Sequence, residues 1–582
     1  MSNLMGDHIS SLSSIPSNAF NQWDDAFIQS METPYGEPEY RERAETLAKE
    51  IKIFLKDMQS GGGDGDLIER LEIVDALQCL GIDRYFQAEI KAALDYVYNC
   101  WDESVGIGLG SQSATKDLNA TALALRVFRL NRYDVSADTL KYFKDNNGRF
   151  VLCGDNKDNN DEDNSKEEKV MRSMLNLLRL SSLAFPAEIV MEEAKAFSSR
   201  YLKELLGKSG DTSKKSFLKE VEYALIYEWP RTFIRWEARN FIEIYELDNE
   251  RLKEKRILEL AKLDFNILQF HYKLEMKNLS SWWVESEISK LIATRERSIE
   301  YLLWAISSMD ELEHSSSRIA LAKITSLITI LDDIFDDYAT FEQLKCIRDA
   351  IFKGWDVSII ENIPNNWKRC VEFVFKTIHQ LTIDATDYQG RDMMPFVSKA
   401  WEDYVEACFE QARWKLKGYF PTYNEYIKIA GKCVGFGPFS LHSAILASPN
   451  LCDDDIQKIY LDKSRFYQLM RVAMRLIDDI HDFEEERLHG KMASAISCYM
   501  ADHPNCSEKE AMNHIIELNN EVLKELTREF LKPSMIFHEW EKIFVNSTRG
   551  VQFFYVHGDG FTYTHKEIKH QILKIIVDPI KI

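Results

Sequence analysis

The sequence lacks cysteine pairs of the kind that bind zinc, membrane-length apolar runs and an excess of positive charge. Its ten cysteines lie far apart, without a CxxC pair, which predicts reduced thiols, as in a cytosolic protein. No apolar stretch approaches the roughly 18 to 20 residues that span a bilayer, and Lys and Arg are absent from Met1 to Gln22. We therefore expect a cytoplasmic chain without stable membrane insertion.

The charge balance limits the possible partners further. The chain carries 94 acidic and 72 basic residues, for a formal net charge of -22. Such a chain repels phosphate backbones unless a basic patch or a metal intervenes. Nucleic acid is not an expected partner.

The sequence predicts an all-α fold with two helical domains. A chain of 582 residues is too long for one ordinary hydrophobic core, and strand signals are few. Segments such as AEIKAALDYVYNCW repeat apolar residues at spacings of three and four, which is typical of helices with one buried face. Charge density rises between Glu246 and Arg256, so we place the domain boundary between residues 250 and 251.

A first acidic group interrupts an apolar segment. In ITSLITILDDIFDD, Asp332 and Asp336 lie four residues apart, which places them on one helix face, one turn apart. A solvated acidic face is the plain alternative. The flanking Leu and Ile instead indicate a largely buried helix, in which carboxylates require cations.

A second acidic group follows in RLIDDIHDFEEER, where Asp478, Asp482 and Glu486 recur at every fourth residue. Two such groups on separate helices can face each other across a bundle and hold several hard cations, for which Mg²⁺ is best suited. A di-iron centre is disfavoured because neither group supplies a Glu-x-x-His pair. Metals in an acidic protein favour a strongly anionic ligand such as a diphosphate.

Three arginines accompany these acids. Arg295 and Arg297 precede the first group, and Arg475 lies three residues before Asp478, one turn away on a similar face. Taken singly, each would be an ordinary surface ion pair. Because they lie near the acidic groups in the sequence, they are predicted to bind a released diphosphate.

These motifs resemble those of the plant terpene synthases. LDDIFDD resembles the DDxxD motif, TRER from Thr294 to Arg297 the RxR motif, and DDIHDFEEE the second metal motif (N/D)Dxx(S/T)xxxE. WDD at Trp23, RWEARNFIEIY and YVHGDGFTYTHKEI extend the resemblance over nearly the whole chain. The overall pattern is most similar to that of conifer sesquiterpene synthases.

The resemblance implies a domain arrangement and a metal site. Residues 1–250 would form a catalytically silent, α-barrel-like β domain, since DLNATA stands where a class II enzyme has its DxDD acid. Residues 251–582 would form the class I terpenoid synthase α-bundle. By the same resemblance, three Mg²⁺ ions, with Mn²⁺ as an alternative, are held by Asp332 and Asp336 (two ions) and by Asp478, Asp482 and Glu486 (the third). Asp482 departs from the family, which usually has Ser or Thr at this position.

Further roles follow from the resemblance alone. The substrate-binding set is Arg295, Asp332, Asp336, Arg475 and Asp478. The catalytic set is Arg295, Arg297, Arg475, Trp304, Tyr555 and Asp559, in which Trp304 and Tyr555 would line the pocket and stabilise a carbocation, and Asp559 would lie near a lid. The helix break in VGFGPFS would also line the pocket, and the strip around Trp23 would cover its mouth.

The predicted function is Mg²⁺-dependent ionisation of farnesyl diphosphate and cyclisation to a C15 terpene by a monomer. A synthase that uses geranyl or geranylgeranyl diphosphate is one alternative, and a catalytically silent prenyl-diphosphate binder is another. A chain-elongating prenyltransferase also carries two DDxxD motifs. Chain length and the missing second basic motif disfavour it.

Overall fold

The prediction of an all-α fold is confirmed. The computed structural model describes residues 23–60, 66–111, 113, 115–151, 163–208, 214–248, 251–292, 294–360, 363–460, 464–488, 493–533, 539–561 and 566–582. Over these ranges it contains helices and three isolated bridges but no strand. Within the same ranges, every helix is too short or too polar to cross a membrane.

The chain divides into two compact units. The larger unit consists of Met1–Glu32, His271–Leu523 and His538–Val577, and the smaller unit of Thr33–Phe270, Lys524–Phe537 and Asp578–Ile582. The division falls inside one helix, Lys255–Ser286, and not at the charged segment before it. The two units therefore differ from the ranges 1–250 and 251–582, whose standing as domains stays a prediction.

The smaller unit is built from amphipathic helices around a dense core. Its helices are α2 (Pro38–Ser60), α3 (Asp66–Cys79), α4 (Gln87–Tyr98), α5 (Leu118–Leu130), α6 (Asp163–Ser181), α7 (Ile189–Lys208), α8 (Lys215–Ile226), α9 (Ile234–Leu247) and the first half of α10 (Lys255–Ser286). Helix α5 is buried along almost its whole length. It begins at Asp117, whose side chain accepts a hydrogen bond from Ala120 N at 2.8 Å and so caps the first turn.

The larger unit packs its helices around a buried central helix. Its helices are α1 (Asp25–Gln29), the second half of α10, α11 (Ile288–Leu291), α12 (Ser298–Ser308), α13 (Ser315–Asp333), α14 (Phe341–Phe352), α15 (Asn365–Gln389), α16 (Met394–Lys417), α17 (Tyr423–Cys433), α18 (Phe436–Ala447), α19 (Asp453–Tyr460), α20 (Arg465–Leu488), α21 (Ala495–Asp502), most of α22 (Glu508–Leu531), α23 (Glu539–Phe554) and α24 (Lys566–Ile572). Every residue of α12 is buried. It packs between α13 and α23, so the segments at its ends lie close to both neighbours.

The predicted break in VGFGPFS is present. Helix α17 ends at Cys433 and α18 begins at Phe436, with Gly435 between them at a φ of 76°. A Cβ atom at Gly435 would lie 2.7 Å from Ile328 Cγ2. Glycine is needed here both for the left-handed backbone and for the close approach of Ile328, on α13, to the Gly435 backbone.

Candidate active site

The first acidic group lies where α13 ends. Asp332 and Asp333 are its last two residues, and Arg295, in the loop before α12, binds both of them. Arg295 Nη2 donates to Asp332 Oδ2 at 2.8 Å and Nε donates to Asp333 Oδ1 at 2.8 Å. The two aspartates differ in exposure, because the Asp332 side chain is 38% exposed and that of Asp333 only 7%.

Asp333 is further fixed by the loop that carries Arg295. Its Oδ2 atom accepts hydrogen bonds from Thr294 Oγ1 at 2.6 Å and from Arg295 N at 3.0 Å. Burial opposes the charge on Arg295, but Asp333 and Asp332 outweigh it and raise the pKa of Arg295 well above its usual value. The guanidinium is therefore a permanent cation held beside one accessible carboxylate.

Asp336 follows in a π-helical turn, Ile334–Tyr338, which continues α13. Such turns widen a helix locally and occur often at functional sites. Asp336 is exposed. Burial, Cys433 and the charges of Asp332 and Asp336 together raise the pKa of the Cys408 thiol, so both predicted metal ligands lie near the same buried thiol.

The second acidic group, on α20, has the same organisation. Arg475 forms ion pairs with both Asp478 and Asp479. Asp478 is 26% exposed, whereas Asp479 is fully buried. The Asp479 carboxylate also accepts hydrogen bonds from Tyr426 Oη at 2.9 Å and from Ala495 N at 2.6 Å, so it joins α17, α20 and the start of α21.

Tyr555, just after α23, lies among the acids of the second group. Its hydroxyl donates to Asp478 Oδ1 at 2.6 Å. Burial and the charges of Asp478, Asp559 and Asp482 raise the pKa of Tyr555 well above its usual value. Asp559 is itself buried and accepts a hydrogen bond from Phe561 N at 2.8 Å. The structure thus brings Tyr555 and Asp559, which were predicted apart from the acidic groups, together with Asp478 and Asp482 of the second group. Glu486 lies in α20, but its side chain is outside the described residues.

Aromatic rings connect the two acidic groups. Tyr301 lies on α12, where burial raises its pKa to about 12. Its hydroxyl also interacts electrostatically with Arg295 and Asp333. The Tyr301 ring stacks on Phe561 at a centroid distance of 6.4 Å, and Phe561 contacts the Tyr555 ring at 5.7 Å. We call this series of ring contacts, from Tyr301 near the first acidic group to Tyr555 in the second, the aromatic surface.

Trp304 belongs to the same surface. Its Nε1 atom donates to Ser547 O at 2.9 Å, which fixes the indole. Phe439, just beyond the helix break, stacks on Trp304 at 4.1 Å with an interplanar angle of 8°, and Phe561 meets it edge-on at 5.7 Å. Trp304 and Tyr555 are thus both in contact with Phe561, and their place in a shared pocket stays a prediction.

Arg297 differs from the other two predicted arginines. It is fully buried, and its Nη1 atom donates to the Glu296 carbonyl at 3.0 Å. Nearby, Trp23 is buried and its Nε1 atom donates to Glu300 Oε1 at 3.2 Å. Trp23 is therefore fixed against α12, while the cover of the pocket mouth by the strip around Trp23 and a catalytic role of Arg297 stay predictions.

The donor set suits hard divalent cations. Asp332, Asp336, Asp478 and Asp482 offer carboxylate oxygens that are at least partly accessible, and Mg²⁺-type ions are bound by one or two carboxylates together with waters and substrate phosphates. Among the described side chains, the one group of three ligands that could close around a single ion is Glu311, Glu313 and His314. The acidic groups therefore fit metals that are shared with an anionic ligand, and not a site made of protein atoms alone.

The sequence analysis missed the inner residues of this site. Asp333 and Asp479 each follow a predicted ligand directly, and a one-residue step turns a side chain by about 100° around a helix. That rotation is the signal that could have separated them from the accessible acids. Tyr426 gave no such signal, because its contact with Asp479 comes from a distant part of the chain. Phe439 and Phe561 lie in the segments VGFGPFS and YVHGDGF that the resemblance had singled out, but neither residue was given a role of its own.

Comparison with known proteins finds family models for two long segments of the chain. Residues 22–225 match the model "Terpene synthase, N-terminal domain" and residues 284–525 match "Terpene synthase family, metal binding domain". The chain is 44% identical to alpha-humulene synthase from Picea glauca over 97% of this chain and 96% of that protein. It is 43% identical to delta-selinene-like synthase, chloroplastic, from Picea sitchensis, over 97% and 96% respectively.

A solved structure supports the same assignment. The fold matches isoprene synthase from grey poplar leaves in complex with three Mg²⁺ ions and dimethylallyl-S-thiolodiphosphate, with a TM-score of 0.80 and 28% identity over 96% of this chain and 99% of that chain. The larger unit thus contains a class I terpenoid synthase fold with a divalent-metal domain. Conifer sesquiterpene synthases are among the relatives to which it is similar in sequence, and the chain belongs to the terpene synthase family.

Proposed function

We propose that the protein is a sesquiterpene synthase, which ionises farnesyl diphosphate and cyclises the resulting carbocation to a C15 terpene with release of diphosphate. The observation that carries this proposal is the pairing of two accessible carboxylate groups, each with an arginine, across one aromatic surface. Carboxylates and arginines suit a metal-bound diphosphate, and the aromatic rings suit a hydrocarbon cation. The names of the conifer relatives support the C15 substrate.

The metal in this proposal is Mg²⁺. Asp332 and Asp336 would hold two ions and Asp478, Asp482 and Glu486 a third. When bound, Mg²⁺ neutralises charge on the diphosphate oxygens and so makes diphosphate a better leaving group. Asp482 replaces the usual hydroxyl ligand with a carboxylate, which adds negative charge and favours hard cations such as Mg²⁺ or Mn²⁺.

The arginines stabilise the departing diphosphate. Arg295 and Arg475 each keep a guanidinium beside an accessible aspartate, where N–H groups can donate to the oxygens on which charge accumulates as the allylic C–O bond breaks. Their charges persist at all physiological pH values. Interactions of this kind act most strongly at the transition state, because the charge that they meet is largest there.

The aromatic surface then protects the cation. The faces of Tyr301, Trp304 and Phe561 stabilise positive charge through their quadrupoles, and their packing limits the access of water. The Trp304 N–H and the Tyr301 hydroxyl are bonded within the protein, to Ser547 O and to Thr329 Oγ1 at 2.6 Å. These hydrogen bonds fix the orientation of both rings.

A cytoplasmic location is part of the proposal, because it favours farnesyl diphosphate over the plastid substrates. One of the relatives is named chloroplastic, so the location needs its own test. The full chain with a C-terminal fluorescent tag is expected to remain in the cytoplasm of plant cells. Import into plastids would redirect the search for the substrate to geranyl and geranylgeranyl diphosphate.

The deciding experiment is an incubation of the purified chain with farnesyl diphosphate, with Mg²⁺ and with a chelator. Metal-dependent cyclic C15 hydrocarbons or alcohols in gas chromatography and mass spectrometry are the expected result. If products form only from geranyl or geranylgeranyl diphosphate, that compound replaces farnesyl diphosphate as the proposed substrate. No product from any of the three, despite metal-dependent binding, would identify a silent prenyl-diphosphate binder.

A further inference from the structure

Arg295 and Arg475 share an arrangement that the proposed function leaves unexplained. Each guanidinium is bound to two consecutive aspartates, one accessible and one buried. We call Asp332 and Asp478 the outer aspartates, and Asp333 and Asp479 the inner aspartates. The same pattern occurs on two helices that are far apart in the sequence, with different partners in each case.

The inner aspartates are fixed by bonds that do not involve the arginine side chains. Asp333 accepts from Thr294 Oγ1 at 2.6 Å and from the Arg295 backbone N–H at 3.0 Å. Asp479 accepts from Tyr426 Oη and Ala495 N at 2.9 and 2.6 Å. A buried carboxylate that lost its guanidinium would be left with an uncompensated charge. The bond from each arginine to its inner aspartate is therefore the persistent one.

The bonds from the arginines to the outer aspartates, in contrast, are subject to competition from metal ions. The outer aspartates are the carboxylates that the proposed function assigns to metal ions, and a bound cation repels a guanidinium that shares the same carboxylate. The outer bond of each arginine must therefore weaken when metal binds. The N–H groups released in this way lie beside the metal ligands, where the oxygens of a diphosphate would be.

We propose that Asp333 and Asp479 are positioning residues, which retain Arg295 and Arg475 while the outer N–H groups of these arginines exchange Asp332 and Asp478 for the diphosphate. This inference rests on the proposed function. Before metal binds, each arginine neutralises its outer aspartate. After metal binds, the inner aspartate keeps the guanidinium in place, so the same arginine serves both states without a large movement.

The proposal makes a specific prediction for variants of the inner aspartates. In Asp479→Asn and Asp333→Asn, the arginine loses its buried counter-charge and stays with the outer aspartate, where it competes with the metal. We expect inorganic diphosphate to bind about 10 to 100-fold more weakly in the presence of Mg²⁺, the range typical of residues that orient metal-site ligands. The Mg²⁺ concentration for half-maximal binding is expected to rise as well.

The test is calorimetric titration of the full chain with inorganic diphosphate at several Mg²⁺ concentrations, which needs no turnover. Asp264→Asn is the matched control, because Asp264 is also buried and bound to two arginines, Arg84 and Arg235, but it lies in the smaller unit. It is expected to lower thermal stability and to leave diphosphate binding unchanged. Tyr426→Phe, which removes one bond to Asp479 and spares its arginine, is expected to show an intermediate loss.

Two results would overturn the proposal: wild-type affinity for diphosphate in the folded Asp333→Asn and Asp479→Asn variants, or an equal loss in Asp264→Asn. Should the inner variants fail to fold, Arg295→Lys and Arg475→Lys replace them, because lysine keeps the charge but cannot span two carboxylates. Wild-type binding by both lysine variants would also contradict the proposal. Failure of the proposed function is distinguished by the wild-type chain, which would then give no terpene product from any prenyl diphosphate.

Discussion

The two compact units both bury arginines against carboxylates, but they differ in what remains accessible. In the smaller unit, Glu220 is 1% exposed and lies 3.1, 3.5 and 2.6 Å from nitrogens of Arg172, Arg179 and Arg251. In the larger unit, Asp332 and Asp478 share their arginines with buried neighbours and remain partly exposed. The first network is closed within the protein, whereas the second leaves carboxylate oxygens for another cation.

This difference separates a structural charge cluster from a binding site. A closed network satisfies each buried charge, so its effect is on the stability of the fold. An open network leaves carboxylates that solvent or a ligand can reach. Acid content alone does not distinguish the two cases, because both units are rich in acidic side chains. The two cases are distinguished by the number of arginines around each carboxylate and by the exposure of that carboxylate.

The largest expected effect is on the closed network. Glu220→Gln would place a neutral amide among three guanidiniums, and we expect the free energy of unfolding to fall by about 3 to 5 kcal/mol, as for other broken buried ion pairs. Urea denaturation followed by circular dichroism measures this loss. Glu222→Gln, two residues away and exposed, is the control and is expected to be neutral. Equal stability of the two variants would contradict the assignment of Glu220 to a structural network.

The next effect is on the open network and concerns activity instead of stability. Asp332→Asn would remove a predicted metal ligand, and we expect kcat to fall about 10² to 10³-fold, the range for loss of one group that stabilises transition-state charge. The unfolding temperature is expected to change little. Asp454→Asn, an exposed aspartate paired with Lys458, is the control. Full activity of the Asp332→Asn variant would contradict the assignment of Asp332 as a metal ligand.

The smallest expected effect concerns how stability depends on pH, which differs between a carboxyl group of the larger unit and one of the smaller unit. In the larger unit, burial and Glu300 raise the pKa of Glu296 to about 7, so the folded state retains a proton that the unfolded state loses above about pH 4.5. Stability is therefore expected to fall as pH rises from about 4.5 to 7, by at most about 1.4 kcal/mol per pH unit. The Glu296→Gln variant is expected to lose this slope in urea unfolding measured across the pH range. An unchanged slope would contradict the raised pKa.

The pKa of Glu220 is shifted in the opposite direction to that of Glu296. Burial opposes its ionisation, but Arg251, Arg172 and Arg179 lower its pKa to about 2. The stability that it contributes is complete above its ordinary pKa of about 4.5, and it is lost as pH falls from there towards 2. Acid unfolding of the wild-type chain is expected to begin in this window. Glu220→Gln is expected to make stability less dependent on pH below 4.5.

Much of the fold and part of the site could be predicted from the sequence. Apolar spacing predicted the all-α fold, which is confirmed. The four-residue spacing of Asp332 and Asp336 predicted acids on one face of an α-helix, whereas Asp336 lies in the π-helical turn that follows α13. The domain ranges 1–250 and 251–582 stay a prediction, because they were placed by charge density, whereas the division of the two compact units lies within helix α10. Local composition does not report where a long helix passes from one core to another.

The inner half of the site could not be predicted for a related reason. Asp479 is defined by bonds from Tyr426 and Ala495, which come from other helices, and local periodicity contains no information about such partners. The same applies to Phe561, which joins Trp304 and Tyr555. Its identity as a pocket residue depends on the fold of the segment after α23. The family resemblance supplied Trp304 and Tyr555 but not the ring between them.

The measurement that tests the account most directly is crystallography of the chain with Mn²⁺ and inorganic diphosphate, with data collected to locate manganese by anomalous scattering. The account predicts peaks beside Asp332, Asp336 and Asp478, with Arg295 and Arg475 donating to the diphosphate and still bound to Asp333 and Asp479. Manganese at Glu311, Glu313 and His314, with none beside the outer aspartates, would contradict the account.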